Sequence, residues 1–203
     1  MKTRLTFGVG INDADYVTQI LEELPRVDGR RKQKLVWICP YFRAWRSMLK
    51  RAYCSDYHKS FPSYSSVSVY DGWFLFSSFK AWMEHQDWVG KELDKDLLST
   101  TNKIYSPDTC CFITKQLNMF MTESTATRGE WPIGVCFVEK VGKYRSQCCN
   151  PFTKRQETVG MFLTPVEAHN AWRERKFVYA SMLASEQTDP RIADAILEKY
   201  RNY

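Results

Sequence analysis

The chain has 203 residues, of which 44% are hydrophobic and 15% aromatic. That length fits one domain or two small ones, and the composition supports a packed core and excludes bulk disorder. The net charge of +6 biases the surface toward polyanions. No signal peptide is visible and no apolar run is long enough to cross a bilayer, so a cytoplasmic protein with no membrane partner is expected.

Residues 12–24 predict a helix: Asn12 or Asp13 can cap it, acids fill its first turn, and Tyr16, Ile20 and Leu24 share a face. Pro25 and the basic, glycine-containing stretch 26–34 then predict a loop. Residues 40–52 predict a second helix, with Pro40 at its first position and Tyr41, Trp45, Met48, Leu49 and Ala52 at helical spacing. Arg43, Arg46, Lys50 and Arg51 cover much of its remaining surface. From Arg26 to Arg51 there are nine Lys/Arg against one acid, Asp28. A Ser/Tyr/Pro-rich ordered loop is expected over 54–66, a short strand at 67–69, and an aromatic helical stripe at 75, 76, 79, 82 and 83.

The next segment carries the chemistry. Asp94 and Asp96 end a short apolar step, a turn rich in Asn, Lys, Ser and Pro follows, then a strand-like run at 110–113, then Asn118 on an expected helix. Strand, turn, strand and helix delivering an Asp and an Asn to one point make a small divalent-metal site. Seven cysteines (39, 54, 110, 111, 136, 148, 149) contain no Cys-x-x-Cys pair and fit no zinc-finger spacing. Reduced thiols are the simplest account, and a structural Zn²⁺ on Cys39, Cys54 and Cys110 is the alternative.

Past a junction at 128–132 the pattern changes to period two, over 133–140, 143–149 and 156–162, with turn chemistry at Val141-Gly142 and after Asn150. This predicts a three-stranded antiparallel meander. Thr164, Pro165 and Glu167 announce a helix to about residue 184 with a capping box, and Thr188-Asp189-Pro190 starts a last short helix to about residue 200. The alternation points Tyr144, Ser146 and Cys148 toward the helix. It points Arg145, Gln147, Cys149, Gln156 and Thr158 outward, with Cys136 and Val138 in the outward places of the first strand. Five Lys/Arg and no acid lie between Lys140 and Arg155. The fold class is therefore α+β in two modules, 1–127 and 128–203.

Residues 41–118 resemble the divergent HNH (His-Me finger) proteins common in phage genomes. The resemblance rests on Trp45-x-x-Met48-Leu49-x-Arg51-x-Tyr53, Phe76-x-x-Phe79-x-x-Trp82, Leu93-Asp94-Lys95-Asp96, Asn102-Lys103-x-Tyr105-Ser106-Pro107-x-x-Cys110 and Asn118. It implies a ββα-metal module in which Asp94 and Asn118 hold one Mg²⁺ or Mn²⁺ ion, with Asp96 as a further ligand or its neighbour. In that family a histidine follows the Asp and acts as base; here Lys95 stands in its place, better suited to clamping phosphate. His85 or His58 supplying the base, a metal-bound hydroxide, and a site that kept its fold without catalysis are the three ways to read that departure.

Residues 131–184 resemble the AP2/ERF-type DNA-binding domain. The match lies in Ile133-Gly134-Val135, Gly142-Lys143-Tyr144-Arg145-Ser146-Gln147-Cys148, Val159-Gly160-x-Phe162 and Thr164-Pro165-x-Glu167-Ala168. It implies a sheet lying in the major groove, with Arg145 and Gln147 reading base edges, Gln156 and Thr158 beside them, and Lys140, Lys143, Lys154 and Arg155 on phosphates. Arg43, Arg46 and Lys50 would add phosphate contacts. Together the two resemblances imply a phage endonuclease of the homing or free-standing type acting on double-stranded DNA in the host cytoplasm. The alternatives are a non-cleaving DNA-binding protein on the same scaffold, or a phage effector that binds a host protein.

Overall fold

The computed structural model describes residues 5–28, 30–99, 101–122 and 130–201. The chain is α+β and divides into two compact units, Met1–Phe112 and Ile113–Tyr203. The junction expected at residues 127/128 lies outside the described residues. Among the described residues no helix is long and apolar enough to cross a membrane.

The first unit opens with two long antiparallel strands, β1 (Gln19–Val27) and β2 (Arg30–Ile38). This corrects the helix expected over 12–24 and the loop expected over 26–34. Asn12 caps no helix, its amide donating to the Thr18 hydroxyl at 3.0 Å, whereas the Asp13 carboxylate accepts the backbone N–H of Ser77 at 2.8 Å. Ser77 lies in the first turn of a helix 64 residues further on, so Asp13 satisfies a helix N–H, but one distant in the chain.

α1 (Pro40–Tyr53) follows β2 with Pro40 at its start and buries Phe42, Trp45, Met48, Leu49 and Ala52. The region expected as a loop contains α2 (Ser55–Ser60) and a 3₁₀ turn. β3 (Ser68–Val69) precedes α3 (Phe76–Glu84), whose Phe76, Phe79 and Met83 are buried. β4 (Glu92–Asp94), β5 (Ile104–Tyr105) and β6 (Cys111–Ile113) then form two minimal sheets, β3 with β5 and β4 with β6. The aromatic stripes of α1 and α3 meet Trp73, Leu93, Tyr105, Cys110 and Phe112 in one core. Trp45 is fully buried, and its indole N–H is satisfied by the Trp73 carbonyl at 2.7 Å.

β6 runs into α4 (Lys115–Met121), capped by the Thr114 hydroxyl on the Leu117 N–H at 3.1 Å. The C-terminal carbonyls of α4 are satisfied by cations and a phenol from the last two helices of the chain. Lys176 and Tyr200 donate to Phe120 O at 2.9 and 3.1 Å, and Lys199 donates to Met121 O at 3.0 Å. Positive charge at a helix C-terminus is favourable, so α4 is held within the second unit.

β7 (Val135–Val138), β8 (Lys143–Cys149) and β9 (Gln156–Phe162) form the expected antiparallel meander. α5 (Pro165–Ser185) begins with the expected capping box, and α6 (Pro190–Arg201) closes the chain. Ala168, Trp172, Tyr179, Ala180 and Leu183 of α5 are buried against the sheet and α6, where Ser146, Cys148, Ile192 and Ile196 are also buried.

Candidate functional site

Asp94 is the last residue of β4. Its Oδ1 accepts the backbone N–H groups of Asp96 at 2.9 Å and Leu97 at 2.8 Å, which bends the chain sharply after the strand. Its Oδ2 accepts no hydrogen bond from the described residues. Burial pushes the carboxyl above the usual carboxylate range; the two N–H groups oppose this, Asp96 adds to it, and Lys95 opposes it.

Lys95 turns inward. Its side chain is 7% exposed, its ammonium donates to Asp96 Oδ1, and it stands 5.9 Å from the Tyr64 ring centre and 5.8 Å from that of Tyr105. Arg51, from the last turn of α1, donates to the Leu93 carbonyl at 3.4 Å and the Tyr105 hydroxyl at 3.3 Å. Burial raises the Tyr105 and Tyr64 phenols above the usual range, opposed in each case by Arg51. Cys110, fully buried nearby, is pushed up to about 12 by burial.

The sequence picks out Asp94, Lys95 and Asp96 in this cluster and misses Arg51, Tyr64 and Tyr105 as members. Arg51 reads there as one more surface cation, whereas it reaches a phenol 54 residues away. His85 is exposed just past the end of α3. His58 Nε2 is 2.8 Å from the Arg51 carbonyl oxygen. Asn118 is half-buried on α4, in the second unit. Asp96 is largely exposed, with one oxygen on Lys95. Among the described residues no three His, Cys, Asp or Glu side chains gather as a metal group. A hard divalent cation needs only one or two protein carboxylates beside water and phosphate, and the unbonded Oδ2 of a desolvated Asp94 is a fitting donor.

A second arrangement lies on the meander. Register places Cys136 opposite Arg145, Arg145 opposite Met161, Gln147 opposite Thr158 and Cys149 opposite Gln156. Directly opposed residues share a face, so these side chains line one side of the sheet, as the alternation expects. The other side packs on α5: Ser146 and Cys148 are buried, and Glu157 accepts from Asn150 at 2.8 Å and from Tyr179 of α5 at 2.5 Å. Those two hydrogen bonds hold the Glu157 carboxyl below its usual range. On the outward face Arg145 Nε donates to Cys136 Sγ at 3.4 Å, and that thiol lies 3.8 Å from Gln147 Oε1. Lys140, Lys143, Lys154 and Arg155 stand exposed at the turns and strand ends.

In the first unit Arg43, Arg46 and Lys50 are exposed along one side of α1 while the opposite side fills the core. Comparison with known protein families, curated proteins and solved structures finds no match to this chain.

Proposed function

We propose that this chain binds double-stranded DNA, with its C-terminal sheet reading the duplex in the manner of an AP2/ERF-type domain. The observation that carries the reading is the common face shared by Arg145, Gln147, Thr158 and Gln156, with exposed lysines and Arg155 at its edges. Arg and Gln offer the paired hydrogen-bonding groups that distinguish guanine and adenine in the major groove, and cations around such a face neutralise phosphates. In a selection from random duplexes, Arg145→Ala and Gln147→Ala should each weaken binding to the preferred site by about tenfold to a hundredfold and relax preference at one position. Lys143→Ala should weaken all sequences alike and reduce the salt slope by about 1. Absence of duplex binding by the parent chain at low salt would overturn the reading.

A second reading adds metal-dependent phosphodiester hydrolysis on an HNH-type scaffold. It is favoured by the order β4, β6, α4, with Asp94 ending the first strand and Asn118 on the helix. Asp94 through Oδ2, with Asp96 beside it, would hold Mg²⁺ or Mn²⁺, and the ion would supply Lewis-acid stabilisation of the phosphate. The chain's own part is to orient Asp94 through the Asp96 and Leu97 N–H groups and to keep it poorly solvated. Nicking of plasmid DNA in Mg²⁺ or Mn²⁺ that is lost in Asp94→Ala supports this reading. Tight binding without nicking in either ion leaves a non-cleaving DNA-binding protein.

A further inference from the structure

We infer that β2 of the β1–β2 ribbon and the exposed side of α1 form one cationic track for the phosphates of a duplex, a second DNA contact apart from the C-terminal sheet. The inference rests on the DNA-binding reading above and adds to it an element that the sequence reads as helix and loop.

The ribbon has nine residues in each strand, about 30 Å of extended chain. Two strands alone are marginal in water unless a face is covered. Here Ile20, Leu21, Leu24, Leu35, Val36 and Trp37 are all between 39% and 58% exposed, so the ribbon presents itself to a partner.

Charge selects the partner. Glu22 and Glu23 lie on β1, and Glu22 stands opposite Lys34. β2 holds Arg30, Arg31, Lys32 and Lys34 and no acid. The acid-free stretch continues through Cys39 into α1 and ends only at Asp56. Of the cations in that stretch Arg51 is committed to Tyr105, whereas Lys32, Lys34, Arg43, Arg46 and Lys50 are exposed. The two elements adjoin: Leu35 and Ile38 of β2 share with Arg43, Arg46 and Lys50 the walls of an open groove of about 430 Å³.

Exposed cations at Lys32 and Lys34 of β2 and at Arg43, Arg46 and Lys50 of the adjoining α1, with no acid between them in the chain, fit a regular polyanion. A two-stranded ribbon matches the width of a major groove, and the neighbouring apolar side chains suit sugars and thymine methyls.

The test uses the full chain and a random-sequence duplex of about 30 base pairs, with affinity measured across a salt series. Lys32→Ser/Lys34→Ser should lower the slope of log affinity against log salt by about 2 and weaken binding on the order of tenfold near 0.1 M salt. Glu22→Gln/Glu23→Gln should tighten binding. Neither should alter the sequence preference set by Arg145 and Gln147. If both variants keep the parent slope and affinity while the parent binds, the track is overturned and the sheet reading stands. If the parent binds no duplex, the sheet reading and the track both fall. If the parent sediments as a dimer that Trp37→Ser splits while the salt slopes stay unchanged, the ribbon joins copies of the chain and the track is overturned.

Discussion

Burial raises the Asp94 carboxyl above the usual carboxylate range, and the N–H groups of Leu97 and Asp96 only partly offset it. The folded state therefore holds this proton more tightly than the unfolded state does. Below the ordinary value of 3.8 both states are protonated and the side chain carries no ionisation penalty. As pH rises from there through the higher folded value, the unfolded chain gives up the proton first. Stability falls over that interval and stays lowered above it. Asp94→Asn keeps the Oδ1 acceptor for both N–H groups and cannot ionise, so it should be more stable than the parent at neutral pH. The advantage should vanish in acid, as read by urea unfolding across a pH series. Mg²⁺ at about a hundred times its dissociation constant should stabilise the parent by about 2.7 kcal/mol and leave the Asn variant unchanged. A carboxylate that opposes its own fold and is relieved by a cation marks a binding site. An Asn variant less stable at neutral pH would instead make Asp94 a structural counter-ion for Lys95.

The elements divide by the reach of the interactions that specify them. Gly134 enters β7 at φ +81°, and a Cβ there would stand 2.1 Å from Trp172 Cδ1 on α5. Its carbonyl also accepts the Gln147 N–H at 2.8 Å, so the residue ties sheet to helix. Gly134→Ala combines left-handed strain of about 1–2 kcal/mol with overpacking of about 1–3 kcal/mol. Gly142, at φ +61° with open space around its Cα, carries only the strain. Gly134→Ala should therefore shift a urea midpoint well beyond Gly142→Ala; equal shifts would mean that Trp172 gives way freely. Signals within a turn or two of chain were legible: the Thr164 capping box, the Pro40 start of α1, the aromatic stripe of α3 and the alternation of β8. β1 and β2 were not, because residues 20–26 and 32–37 are exposed on both faces of the ribbon and no period-two burial marks them. Asp13 misled for the opposite reason, satisfying an N–H of a helix distant in sequence. The same distance hid half of the charged cluster: Asp94, Lys95 and Asp96 stand side by side in the chain, whereas Arg51 and Tyr105 meet only through the fold.

Across the whole molecule the cysteines report both packing and function. All seven are thiols outside any disulfide; Cys39, Cys110, Cys111 and Cys148 are buried, Cys54 and Cys136 half-buried, and Cys149 exposed. Burial pushes Cys110 up to about 12 and Cys148 to about 11, so at pH 8 neither offers appreciable thiolate, the reactive form. Titration with a disulfide reagent should modify Cys149 first and Cys54 and Cys136 more slowly. The four buried thiols should react only as fast as the chain unfolds, giving seven in denaturant. A Zn²⁺ ion on Cys39, Cys54 and Cys110 would change that order by protecting Cys54, and a chelator would restore its rate. Cys149 and Cys136 lie on the sheet face with Arg145 and Gln147, whereas Cys54 belongs to the first unit. Saturating duplex DNA should therefore slow Cys149 and Cys136 by about tenfold or more, the fraction of chain left unbound at high occupancy, and leave Cys54 at its free rate. Labelling of Cys149 at the same rate with and without bound duplex would place the DNA on some other surface and remove the sheet from the recognition of sequence.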